Sequence, residues 1–301
     1  MTTSRRISLF VVLILSTSTS FGQVARTAVS VNGSDLNSCV PASPCRTFAH
    51  AITQTNSGGE MIALDSGGFG AFTIDRPIAV LTAPGAYAAV ASSSGPAIAV
   101  TPGPFTLGVI IRGLFVNGTG GSIGIDISNA FDVFIDKCTV HKFPTGISIS
   151  VLGIYNIKDT IVRGDGSGDG IVIGAASGSP SVSIDGCRLT DNNVGLTINN
   201  NASVVMFGSV VAQNGSFNVY ANSLSPVFLT ISDSVIHGYN KNGDAVRAQG
   251  AGVTVSVSRS TLADCATGFD NVGATFNSTG DNTIANCNAA TAGTITPQPL
   301  H

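Results

Sequence analysis

The chain has 301 residues and a formal net charge of −3, and only 10% of its side chains are charged, against about 25% in an ordinary soluble protein. Glycine is frequent at 36 residues, tryptophan is absent and Glu60 is the one glutamate. A hydrophobic share of 43% is not a disordered composition, and the lack of any clustered basic stretch argues against a nucleic-acid partner.

Residues 1–22 read as an export signal. Arg5 and Arg6 give the positive start, Ile7 to Leu15 the apolar stretch, and Ser20-Phe21-Gly22 a small-residue cleavage site. Nine apolar residues are too few to cross a bilayer core about 30 Å thick. The mature chain is therefore expected to begin near Gln23, to be extracellular or periplasmic, and to carry no membrane span. Residues 23–60 follow as an N-terminal cap segment. In it, Cys39 and Cys45 flank Val40-Pro41-Ala42-Ser43-Pro44, a loop stiffened by two prolines, and they are the best disulfide candidate. Arg46 to Thr55 carries Phe48, Ala49, Ala51 and Ile52 and is expected to form a short capping helix. No cysteine or histidine grouping has zinc-finger spacing, so the spacing alone discounts a metal cluster.

From residue 61 to residue 295 a repeat dominates. Glycine, apolar, any residue, apolar recurs at Gly124-Ile125-Asp126-Ile127, Gly146-Ile147-Ser148-Ile149, Gly170-Ile171-Val172-Ile173 and Gly195-Leu196-Thr197-Ile198, with weaker copies at Asn218, Asp244 and Gly268. Successive steps are 22, 24, 25, 23, 26 and 24 residues. A second motif runs in phase, an apolar residue followed by a small one and another apolar one. Its copies include Ile135…Cys138…Val140, Ile157…Thr160…Val162, Ile184…Cys187…Leu189, Ile231…Ser234…Ile236 and Val257…Ser260…Leu262. A unit of this length with short alternating strands cannot bury its own apolar face. Stacked on like units at about 4.8 Å, it can. The expected fold is all-β, a right-handed parallel β-helix of roughly ten coils with a short N-terminal capping helix. Ile147, Ile149, Ile171, Ile173, Leu196 and Ile198 should form one core stack. Residues 296–301 read as a plain tail.

These motifs resemble the pectin lyase-like superfamily of right-handed β-helix proteins. The run Asn32-Gly33-Ser34-Asp35…Cys39…Pro44-Cys45-Arg46-Thr47-Phe48 is also similar to the entry segment of secreted bacterial members. The resemblance covers residues 30–295 and is architectural. It implies the fold and export, not an activity, because that fold carries many chemistries. Asp132-Val133-Phe134-Ile135-Asp136-Lys137 is similar to a pectate lyase signature, but Phe134 stands for Trp and Lys137 for His. The arginine motif of those enzymes is absent: Arg76-Pro77 is the one Arg-Pro pair, and no second arginine follows. No adjacent aspartate pair of the polygalacturonase kind occurs.

Twelve of the 31 acidic and basic residues fall between Asp132 and Asp191, one fifth of the chain. The repeat brings Asp136, Asp159 and Asp185 within one residue of a single column on three coils. Such a column is the candidate Ca²⁺ site, since Ca²⁺ takes six to eight oxygens, although no cofactor is required by the sequence. Arg163 shares a column with His141, and Arg188 lies close by. These arginines are the candidate ligands for the carboxylates of an acidic polysaccharide. His141 and His237 read as surface turn residues. The functional expectation is glycan or surface binding without turnover. The alternatives are a lyase or glycosidase acting on acidic polysaccharide, or a structural extracellular or coat component. The repeat aligns Cys138 with Cys187 two coils apart, too far to bond. Cys265 and Cys287 align in neighbouring coils, where a bond is open but not the expected outcome.

Overall fold

A computed structural model describes residues 23–104 and 108–299. The expected export signal lies outside the described residues. The described chain winds into a parallel β-solenoid with one strand on each of three sheets per turn. One complete turn runs Asp132–Asp136, Thr139–His141 and Thr145–Ile149 before Ile154–Lys158 begins the next. The first sheet has 12 strands, and the second and third have 10 each, in strict chain order. The expected coil stack is therefore present, and no helix among the described residues is long and apolar enough to cross a membrane.

The two sequence motifs occupy different places in each turn. The glycine motif lies in the third sheet, where Ile125, Ile147, Ile171, Leu196, Val219 and Val246 pair in register. Ile127, Ile149, Ile173, Ile198, Ala221 and Ala248 pair beside them, and all twelve are buried. The small residue of the second motif sits at the corner between the first and second sheets. There the preceding residue turns the chain with a positive φ, as at Lys137, Asp159, Gly186, Gly208, Asp233 and Arg259. That turn leaves a backbone N–H inside the corner without a ladder partner. A hydroxyl on the next coil accepts it: Cys138 N donates to Thr160 Oγ1 (3.3 Å), Cys187 N to Ser209 Oγ (3.1 Å), Ser209 N to Ser234 Oγ (3.2 Å) and Ser234 N to Ser260 Oγ (3.3 Å). From Cys138 to Ser260 small residues fill this column, and most carry a hydroxyl that meets the N–H. It ends on Leu114 at one side and at the other on Asn282, whose Oδ1 accepts from Ser260 N (2.9 Å).

The sheets extend beyond the repeat at both ends. Val24–Val29, expected in the cap segment, is the edge strand of the first sheet and pairs with the strand Thr55–Ala63. Its free side is covered by the Cys39–Cys45 loop, through Ala28 N to Cys39 O (2.6 Å), Ser30 N to Cys45 O (2.9 Å) and Cys45 N to Ala28 O (2.9 Å). That loop closes a sheet edge that would otherwise invite pairing. The capping helix α1 spans Phe48–Gln54 and buries Phe48, Ala51 and Ile52. Thr47 is its N-cap and accepts from His50 N (3.1 Å). At the other end, Thr296–Gln298 is a twelfth strand of the first sheet rather than a plain tail. Sequence patterning misses it because three residues around a proline show no alternation. Pro297 pairs with Ser278. By the alternation of the ladder its nitrogen faces away from that partner, where no donor is needed.

Cys39 and Cys45 are bonded, as their loop suggested, and Cys138 and Cys187 are free and buried. Cys265 and Cys287 are also bonded, contrary to expectation. Neighbouring turns hold their Cα atoms 4.5 Å apart, within disulfide reach. Burial pushes the Cys138 thiol up to about 12 and the Cys187 thiol up to about 11. A thiol alkylating reagent at mildly alkaline pH should therefore modify no cysteine in the native protein and two after unfolding without reductant. Opening the Cys265–Cys287 bond, which closes a 22-residue separation, should cost about 3 kcal/mol on the chain-entropy account. Mapping of non-reduced peptides and melting with and without reductant check both. A bridge between Cys138 and Cys187 would overturn the register.

Candidate functional site

The fold does not build the expected carboxylate column. Register on the outer face of the first sheet places Arg112, Asp136, Lys158, Asp185 and Phe207 side by side on successive turns. Asp159 falls one residue later, in the positive-φ corner. Arg112 Nε lies 2.7 Å from Asp136 Oδ2, and Lys158 Nζ lies 2.8 Å from Asp185 Oδ2. A one-residue slip thus turns three acids into a ladder of alternating charge, and two cations stand where a Ca²⁺ ligand set would need oxygens. The Lys158–Asp185 pair is exposed and contributes little, about 1 kcal/mol or less, whereas the Asp136 carboxylate is only 5% exposed, so loss of Arg112 would leave a buried charge without its partner. The Asp132–Asp136 stretch is an ordinary first-sheet strand.

The arginines lie on the second sheet, round the corner from these acids. His141 pairs in register with Arg163, as expected, and Arg188 pairs with Ile161 and Val210. Arg163 Nε is held 2.8 Å from Asp191 Oδ2. Arg188 is exposed and forms no ion pair among the described residues.

A row of rings leads to these cations along the outer face of the second sheet. Tyr87, Phe115 and His141 occupy three successive turns, with centroids 5.0 Å and 6.2 Å apart. Tyr87 is 49% exposed, too open to serve the core. Burial holds the His141 imidazole below its ordinary value, and the neighbouring Lys142 and Arg163 charges add to that. The ring therefore stays neutral at pH 7.

Beyond Arg163 the path enters two hollows at the corner between the second and third sheets. The first, of about 370 Å³, is lined by Asp165, Asp191, Asn192, Gln213 and Tyr239. The second, of about 470 Å³, is lined by His237, Tyr239, Lys241, Asp264 and Asn286. Tyr239 belongs to both, so they form one trough. Asn240 and Lys241 both have positive φ, and Asn242 N donates to Tyr239 O (2.9 Å). Those features make a tight mirror-image turn that lifts Tyr239 off the sheet. Gly238 lets the loop leave close to the next turn, because a Cβ there would meet Asp264 O at 2.2 Å. That close approach brings His237 Nε2 to 2.7 Å from Asp264 Oδ2. Asp165 is spent on its own turn, accepting from Ser167 N (3.2 Å) and Ser167 Oγ (2.6 Å).

From Tyr87 to Asn286 the path crosses eight turn-to-turn steps, about 38 Å at strand spacing. Sequence reading found Arg163, Arg188 and His141 on it but missed Tyr87, Phe115, Gln213 and Tyr239. Phe115 sits in a strand where it reads as core, and Tyr87 and Tyr239 lie in irregular turns. A signal did exist in the 26-residue step that contains Tyr239, the longest of the repeat.

The family model described as "Right handed beta helix region" matches residues 112–289. No curated protein sequence matches the chain. Among solved structures, pectate lyase Pel9A superposes with a TM-score of 0.67 at 16% identity, over 89% of this chain and 79% of that one. An alginate lyase from Paenibacillus sp. str. FPU-7 gives 0.65 at 17% identity, over 91% of this chain and 100% of that one. XylC in complex with xylose gives 0.52 at 10% identity, over 82% and 69%. At these identities the likeness is one of fold.

Proposed function

Because the chain belongs to the right-handed β-helix family, we propose that it is an exported protein that binds an acidic polysaccharide along the outer face of its second sheet. One observation carries the reading: the Tyr87, Phe115 and His141 rings neighbour one another on successive turns of one outer face, and that face continues to Arg163, in register with His141, and to Arg188, in the column that Phe115 shares with Thr139 and Ile161. Flat rings offer apolar area to the C–H faces of sugars. Arginine forks match carboxylates in a way a neutral side chain does not. Rings and cations that advance turn by turn along the solenoid, slanting across its face, suit a linear polymer. The pectate lyase, the alginate lyase and the xylose complex support a sugar ligand by what their names say of them. Export is supported by the signal-like residues 1–22 and by two disulfides, which form in oxidising compartments.

Turnover is a second reading, favoured by the His237–Asp264 pair in the second hollow. Donation from Nε2 to Asp264 would leave the Nδ1 lone pair of His237 to take a proton.

One assay addresses both. Residues 23–301 should bind polyuronates on a glycan array, and Phe115→Ala and Tyr87→Ala should each weaken binding about 10-fold, or 1.4 kcal/mol. Arg188→Ala should weaken polyuronate binding but not binding of any neutral glycan. Absence of glycan binding, or full affinity in Tyr87→Ala, defeats the proposal. Release of unsaturated sugar that stops in His237→Ala would establish the second reading.

A further inference from the structure

The N-terminal cap holds a group of side chains that its spacing does not suggest. Cys39, Cys45 and His50 each direct a ligand atom to within 4.8 Å of the other two. Five residues separate the cysteines and four more precede the histidine, a pattern foreign to zinc fingers. The fold supplies what the spacing lacks. Pairing of Cys45 with the edge strand fixes one sulfur, and Thr47 starts α1 so that His50 faces back over the loop. The carbonyl of Asn37 lies beside both sulfurs, 4.0 Å from Cys39 Sγ and 3.7 Å from Cys45 Sγ. Asp35, close enough to His50 to feel its charge, accepts from Arg46 N, Thr47 N and Thr47 Oγ1 and is rigidly placed.

We propose that Cys39, Cys45 and His50 form a Zn²⁺ site in the reduced protein, which takes the place of the disulfide as the staple of the cap. A dithiol reductant supplies two electrons and two protons, the sulfur–sulfur bond breaks, and two thiols form. Zn²⁺ then displaces those two protons and binds two thiolates and the neutral imidazole. The Asn37 carbonyl or a water completes a tetrahedron. Two thiolates with one imidazole are a donor set that Zn²⁺ prefers over harder cations. In the reverse direction a small-molecule disulfide takes two electrons from the two thiolates and is itself reduced to two thiols, the Cys39–Cys45 bond forms and the ion is released, so the cap is closed in either redox state. Both sulfurs are fully buried, which shields the ion from competing ligands once it is bound.

The test uses residues 23–301, reduced without metal, with Co²⁺ and Zn²⁺ as the probes. Co²⁺ should bind with one equivalent and give the intense near-ultraviolet band of thiolate-to-cobalt charge transfer with tetrahedral visible bands. Zn²⁺ should bleach both and raise the melting temperature of the reduced protein. His50→Ala should weaken Co²⁺ binding at least about 10-fold, and Cys39→Ser should abolish the band. Because Cys265 and Cys287 are reduced too, a band that survives Cys39→Ser would place the metal there and overturn the site. So would the absence of any band, or unchanged affinity in His50→Ala. That variant keeps the disulfide when oxidised, so its folding can be checked before reduction.

Discussion

Ile171→Asp is expected to abolish cooperative folding of the mature chain. Ile171 is fully buried between Ile147 and Leu196 in the third sheet, in a stack running the length of the solenoid. Losing its side chain to a cavity costs about 2–5 kcal/mol. Burying a carboxyl with no partner adds several more. The sum, about 5 kcal/mol or more, equals or exceeds what many domains have in total. In a solenoid each turn is held chiefly by its neighbours, so the damage interrupts the stack in its middle rather than fraying an end. Circular dichroism should show lost or strongly lowered thermal melting, whereas Ile161→Asp, on an exposed position of the second sheet, should melt near the wild type. An unchanged melting temperature for Ile171→Asp would mean that the faces are assigned wrongly.

Asn214→Ala should be the second most damaging change, for a polar reason. Asn214 is fully buried under the trough. Its Oδ1 accepts from Asn192 N (3.0 Å) and Asn192 Nδ2 (3.1 Å), and its Nδ2 donates to Leu189 O (3.2 Å) and Asn218 Oδ1 (3.0 Å). Truncation strands the Asn192 N–H and the Leu189 carbonyl with no water to replace the lost partner. At about 1–3 kcal/mol for each buried group left unsatisfied, the loss is about 2–6 kcal/mol. Asn214→Asp should be nearly as harmful, since it keeps the acceptor and loses both donors. Asn192 lines the first hollow, so the same variants should weaken glycan binding along the trough. Denaturant unfolding measures the first effect and titration with polyuronate the second. A stability within 0.5 kcal/mol of wild type, the range of ordinary surface changes, would show that the buried network is dispensable.

The sequence alone determined the solenoid and its core. Alternation with a period of two decides which side chains face inward, and repetition at 22–26 residues means that each coil needs another beneath it. Both are properties of the local chain, so Ile125 to Ile198 could be placed without coordinates. The small residue at Cys138, Thr160 and Cys187 was legible as a pattern, although its reason, an orphan N–H at a corner, needed the fold. The Cys39–Cys45 loop was legible because its partners are six residues apart.

What lies between coils was decided only by the tertiary structure. A drifting period leaves the register uncertain by one residue, and one residue separates a carboxylate column from the ladder Arg112–Asp136–Lys158–Asp185. The same uncertainty hid the meeting of His237 with Asp264. The repeat did set Cys265 and Cys287 in neighbouring coils, but only the fold decided their bond, as it decided the return of His50 to the cysteine pair in the cap. Tyr87, Phe115 and His141 are 28 and 26 residues apart in sequence, in turns of unequal length, and their rings meet only because parallel stacking sets successive turns side by side, each ring about two register positions on from the last. Core positions are fixed by burial, which every coil repeats. Surface contacts are fixed by a register that the loops are free to shift, and nothing in the local pattern of a single coil records it.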